Sequence, residues 1–180
     1  MLRLVIPEVE LWDEVKQEFV YSKEQTLELE HSLVSLSKWE SKWNKAFLSN
    51  RDKTEEEILD YIKCMTLTPD VPPITYSFLS RNDFAKINDY IVAPMTATVF
   101  SDDKTSKSSR ETVTAELIYY WMIALNIPFE CQYWHLNRLL TLVKVCNIKN
   151  APPKKRSRRE IMSRNAALNA ARRKELNTSG

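Results

Sequence analysis

Cys131 and His135 stand four residues apart, with Glu130 adjacent, and on a helix that spacing turns a thiol and an imidazole to one face. A zinc-type centre would need two more ligands. The other histidine, His31, lies far upstream without ligand-type spacing. A cysteine nucleophile would need an exposed electropositive pocket and a positioned base, which a regular helix face does not supply. The pair therefore reads as a packed thiol and a His135 that hydrogen-bonds at the surface. Glu55, Glu56 and Glu57 form the densest carboxylate run, but consecutive helical residues point in three directions and cannot converge. Following Thr54, they read as a capping box with acids at the positive end of a helix dipole. Trp39 and Trp43, flanked by Lys38, Lys42 and Lys45, have the make-up of a stacking platform for single-stranded nucleic acid. Leu36 and Phe47 share their stripe, so the favoured reading is two indoles packed inward with the lysines solvated opposite.

Glycine narrows the chemistry further. It occurs once, at Gly180, which removes Gly-rich phosphate loops, dinucleotide fingerprints and glycine nucleophile elbows. No catalytic residue, cofactor or metal site is expected, and the chain reads as a non-enzymatic protein.

The elements that must position these residues follow from periodicity. Leu2, Leu4 and Ile6, then Val9 and Leu11, Phe19 and Tyr21, and Leu27 and Leu29 alternate as strands, with Asp13-Glu14 and Lys23-Glu24 as polar connections. This predicts a β-hairpin or three-stranded meander over residues 1–31. After Ser32, a helix N-cap, the period changes, and Leu33, Leu36, Trp39, Trp43 and Phe47 form one helical stripe. A second helix starts at Thr54 and runs through Met65. Pro69, Pro72 and Pro73 then exclude regular helix, and a third opens at Ser80 and stops before Pro94. Residues 101–109 read as an exposed loop. A helix from Arg110 to Asn126, apolar nearly all round over Leu117–Leu125, is expected at the centre of the body. Beyond Pro128, a helix from about Glu130 to Asn147 completes a helical hairpin that should dominate the core. The fold class is thus α+β, mainly α.

Charge divides the chain. Residues 151–180 hold nine Lys or Arg against two acids, which leaves 17 bases and 22 acids in residues 1–150. A mildly acidic globular body of residues 1–150 therefore carries a basic arm, residues 151–180, after a Pro152-Pro153 hinge. Ser157-x-x-Glu160 is a further capping signature, opening a helix through Ile161, Met162, Ala166, Ala167 and Leu168. With few large apolar residues, that helix is marginal alone and is expected to order on a partner. Candidate partner-binding residues are Lys154, Lys155, Arg156, Arg158, Arg159, Ile161, Met162, Arg164, Leu168, Arg172 and Arg173. A basic arm suits nucleic acid, an acidic protein surface or another copy's body. It is also compatible with a solvated tail that only aids solubility.

At 180 residues and 43% hydrophobic content the chain fits one domain plus an appendage. Neither a secretory signal nor a membrane-length apolar run is found, so the cytosol is the expected compartment. Three cysteines, Cys64, Cys131 and Cys146, lie in apolar patterns without CxxC spacing and read as buried, reduced thiols.

Several segments resemble small proteins of tailed bacteriophages. They are Tyr119-Tyr120-Trp121-Met122, Asn126-Ile127-Pro128-Phe129-Glu130-Cys131, Trp134-His135-Leu136-Asn137-Arg138-Leu139-Leu140, Pro152-Pro153-Lys154-Lys155 and Arg164-Asn165-x-x-Leu168-Asn169-x-x-Arg172. Pro7-x-x-Glu10-Leu11-Trp12 and Leu33-x-x-Leu36-x-Lys38-Trp39-Glu40-x-x-Trp43 resemble the same group, so the likeness covers nearly the whole chain. Phage proteins of this size and helical character are similar to tail assembly chaperones, which hold the tape-measure protein while tail subunits polymerise around it. The resemblance implies a chaperone in the host cell cytoplasm whose partners are tape-measure or other tail proteins, with self-association possible. Its alternatives are a structural virion protein, such as a head–tail connector or tail completion component, and a small nucleic-acid-binding phage protein.

Overall fold

The computed structural model describes residues 1–13, 17–100, 112–152 and 158–178. It is α+β and mainly α, with antiparallel β-structure at the N-terminus followed by helices. Two compact units are present, Met1–Asn147 and Ile148–Gly180.

Strand β1 (Leu2–Ile6) pairs antiparallel with β4 (Gln25–Leu29), and β2 (Val9–Asp13) pairs with β3 (Glu18–Ser22). Partners such as Leu4 and Leu27, or Leu11 and Val20, sum to 31 in both ladders. The four strands are therefore one long hairpin in a single register, interrupted where Pro7-Glu8 faces Lys23-Glu24. This is the hairpin alternative rather than the meander. Lys23-Glu24 marks a break in pairing, and Pro7, which has no N–H to donate, stands across from it. Glu14 lies outside the described residues. In β1 and β4 the alternation serves burial: Leu4, Ile6, Leu27 and Leu29 are buried. The free edge of β4 is covered by the chain after the second helix, through Glu30 N–H to Met65 O (2.9 Å) and Leu67 N–H to Glu28 O (2.7 Å).

Helix α1 (Leu33–Trp43) starts at Ser32, whose hydroxyl accepts from Ser35 N–H, and ends at Asn44 in the left-handed conformation. Phe47, expected on its stripe, lies beyond that end and returns to pack edge-on to Trp39 and face-on to Tyr61. Helices α2 (Glu55–Met65) and α3 (Arg81–Val92) both open with closed capping boxes, Thr54 with Glu57 and Ser80 with Asp83. Between them the proline-rich segment forms a short 3-10 helix, Pro73–Phe78.

The second half departs more from expectation. Helix α4 is Ala115–Ala124, capped by Thr114, so it starts later than predicted; the loop at 101–109 and Arg110 lie outside the described residues. It is not central. Ala115, Ile118 and Met122 are buried, but Tyr120 and Ile123 are each 62% exposed. The helix expected from Glu130 is two pieces, a 3-10 helix at Phe129–Tyr133 and helix α5 at Leu136–Asn150. Nor does this hairpin dominate the interior, because there are two apolar clusters. One gathers β1, β4, Trp39, α2 and α3, and the other gathers Leu33 and Leu36 with α4 and α5. Helix α1 supplies side chains to both.

The second unit contains helix α6 (Arg158–Leu176). No described residue of α6 is buried.

Candidate functional site

Cys131 and His135 do not share a helix. Cys131 belongs to the 3-10 helix, whereas His135 directly precedes α5. Cys131 is buried, and burial, aided by Glu130, pushes its thiol up from the usual range, which disfavours the thiolate a nucleophile needs. His135 was expected at the surface but is only 6% exposed. Its Nε2 donates to Tyr90 O at 2.9 Å, and its Nδ1 accepts from Asn137 N–H at 3.3 Å. Both ring nitrogens are thus engaged, leaving no lone pair for a metal or a substrate proton.

The partner that spacing failed to show is His31. Its ring centroid lies 5.1 Å from that of His135, edge to face, and its Nδ1 shares a 2.6 Å hydrogen bond with the Tyr61 hydroxyl. Backbone positions this pair: Leu136 N–H donates to His31 O at 2.7 Å, and Ser32 bridges His135 as an isolated antiparallel pair. Tyr90, whose ring also meets His135, donates its hydroxyl to Glu30 Oε1 at 2.7 Å. The histidines therefore fasten the segment before α1 to the start of α5, between the two apolar clusters. Burial, with His135 adding repulsion, holds the His31 imidazole down to about 3, so it is neutral near pH 7. This is a sealed polar joint rather than a reaction centre.

The carboxylate run has one specialised member. Glu57 is buried, closes the capping box on Thr54, and takes ion pairs from Arg51 (3.0 Å) and Lys45 (2.8 Å). The Arg51 guanidinium, then Lys45 and the Thr54 amide, hold its carboxyl near 2. Glu55 and Glu56 stay exposed. Trp39 and Trp43 pack inward: their Nε1 groups donate to Glu57 O (2.8 Å) and Asp60 Oδ2 (2.9 Å). Their rings stack on each other, and Trp39 is fully buried, so the pair does not present two open faces to bases. Lys42 and Lys45 are not simply solvated, since they pair with Asp60 and Glu57 of α2.

Glu40 belongs to one of the phage-like segments, but nothing in the sequence signalled its structural role. It is buried, and its two oxygens accept from Phe47 N–H (2.8 Å) and Ala115 N–H (2.7 Å). One carboxylate thus joins the loop after α1 to the N-terminus of α4. The cysteines are free, with Cys64 and Cys146 half-buried rather than buried. Among the described residues, no group of three or more His, Cys, Asp or Glu is placed to hold a metal ion, and no helix is long and apolar enough to cross a membrane.

Two surfaces remain. Adjoining clefts of about 420 and 280 Å³ between α2 and α3 share Ile58 and Phe84 and are mainly apolar. The other surface is the arm. Of its candidate residues, Lys154, Lys155 and Arg156, together with Ser157, lie outside the described residues. Arg158, Arg159, Ile161, Met162, Arg164, Leu168, Arg172 and Arg173 lie on α6 and are exposed. Ile161, Arg164, Leu168 and Arg172 recur at intervals of three and four and so occupy one face, on which two arginines alternate with two aliphatic side chains. Comparison of the chain with protein-family models, curated proteins and solved structures returns no match.

Proposed function

We propose that this protein is a non-enzymatic tail assembly chaperone of a tailed bacteriophage, acting in the host cytoplasm and holding the tape-measure protein through its basic arm. The observation that carries the reading is α6: nineteen residues of helix with no buried side chain among those described. A helix that polar, with so little apolar surface of its own, gains most of its stability from a partner. Ile161, Met162 and Leu168 offer apolar contact to an amphipathic helix, and Arg164 and Arg172 offer forked hydrogen bonds to its carboxylates. A reversible grip of this kind suits a partner that must later be released into the tail tube.

The test is co-expression with segments of the same phage's tape-measure protein. The chain is expected to keep those segments soluble and to co-purify with them, and Arg164→Ala with Arg172→Ala is expected to reduce the yield of complex. Absence of both effects in the unaltered protein would overturn the reading. Mass spectrometry of finished particles separates the neighbouring roles: a chaperone is absent, whereas a head–tail or tail completion protein is present at fixed copy number. A nucleic-acid binder would instead show affinity that falls steeply with salt.

A further inference from the structure

Helix α4 is apolar nearly all round, and such a helix is normally enclosed. Here its outer side is bare. Tyr120 and Ile123 are each 62% exposed, and beside them Phe129 and Tyr133 of the 3-10 helix are 52% and 64% exposed. Tyr119 ties the two elements into one surface, with its ring centroid 6.4 Å from that of Phe129 and its hydroxyl 3.0 Å from Gln132 Oε1. Four large side chains exposed together exceed the scattered apolar residues that any surface carries. Aromatic residues of this kind are also those that anchor protein interfaces.

The charge carried by the patch's own segment is one-sided, although Lys45, which pairs with Glu57, lines one cleft with Glu116. From Thr112 to Asn137 the chain holds Glu116 and Glu130 and no Lys or Arg. Glu116 lies one turn before Tyr120 on α4 and is exposed, and Glu130 follows Phe129 and is exposed. The next cation, Arg138, lies over the Trp134 ring at 4.0 Å. An occupant of this surface should therefore be a helix that presents aliphatic side chains between cations. Helix α6 presents that pattern in Ile161, Arg164, Leu168 and Arg172, and the chain's own charge is divided in the same sense.

We propose that the aromatic surface of α4 and Phe129–Tyr133 is a docking site for helix α6 of a second copy of this chain, with Glu116 and Glu130 pairing with arginines of the incoming helix. The contact joins two different surfaces, so it can close as a reciprocal pair or extend head to tail. It does not rest on the tail assembly role: failure to bind tape-measure segments leaves it standing, and a monomeric protein leaves the assembly role standing.

The experiment is sedimentation velocity of the full chain over a concentration series at low and high salt. Unaltered protein is expected to self-associate, and more weakly as salt rises. Two charge reversals, Glu116→Lys with Glu130→Lys and Arg164→Glu with Arg172→Glu, are each expected to weaken association about tenfold or more. Combining all four in one chain is expected to restore it, because the surfaces again carry opposite charge. Tyr120→Ser with Ile123→Ser is expected to weaken association at any salt concentration. All six positions changed in these variants are exposed, so far-UV circular dichroism should be unaltered. A chain that stays monomeric to millimolar concentration would overturn the proposal, as would association indifferent to both reversals or not restored by their combination.

Discussion

His31 shows how a residue's role depends on what surrounds it. Burial and the neighbouring His135 lower its affinity for a proton to about 3, whereas in the unfolded chain it titrates near the ordinary value of about 6.5. As pH falls below about 6.5, the unfolded state takes up the proton first. The stability held by neutral His31 is therefore complete above that value and is lost progressively down to about 3. Between pH 7 and pH 5 this amounts to about 2 kcal/mol from His31 alone. Urea denaturation at the two pH values is expected to show the loss, and His31→Gln, which keeps a polar partner for Tyr61 but does not titrate, is expected to show a smaller one. Equal losses in both proteins would assign the acid sensitivity elsewhere. Glu40 gives a second prediction, because both of its oxygens accept backbone amides. Glu40→Gln sets an NH2 group against one of those donors, at an expected cost of about 1–3 kcal/mol by thermal or urea unfolding.

Helix starts are where element and sequence agree best. Ser32, Thr54 and Ser80 cap α1, α2 and α3 as their spacing predicts, since a side-chain oxygen two or three residues from an orphan amide is a local relation. Thr54→Ala removes the oxygen that accepts Glu57 N–H at 3.2 Å and is expected to destabilise the body by about 1 kcal/mol. Glu57 itself is more than a cap, because Lys45 and Arg51 converge on it from outside the helix. That convergence was not legible, and neither was the break at Trp134 between the 3-10 helix and α5. A continuous apolar pattern gives no sign that Leu136 N–H will bond His31 O instead of continuing a single helix.

At the scale of the molecule, the chain forms two compact units, and the excess of basic over acidic residues lies in the second. Replacing Lys154, Lys155, Arg156, Arg158 and Arg159 by neutral residues is expected to leave the thermal midpoint of the first unit unchanged, followed by near-UV circular dichroism of its tryptophans at low protein concentration. A lowered midpoint would make the arm part of the folded core. The mainly helical class, the strand alternation at the N-terminus, the caps of α1, α2 and α3 and the basic character of the arm were readable in the sequence, because each depends on periodicity or on residues within a few positions of one another. Tertiary structure alone decided the rest. It brought His31 to His135, gave Glu40 its two backbone amides, turned Lys42 and Lys45 back onto α2, and left one side of an apolar helix uncovered. Those outcomes depend on which faces meet across long stretches of chain, and local pattern constrains that choice only weakly.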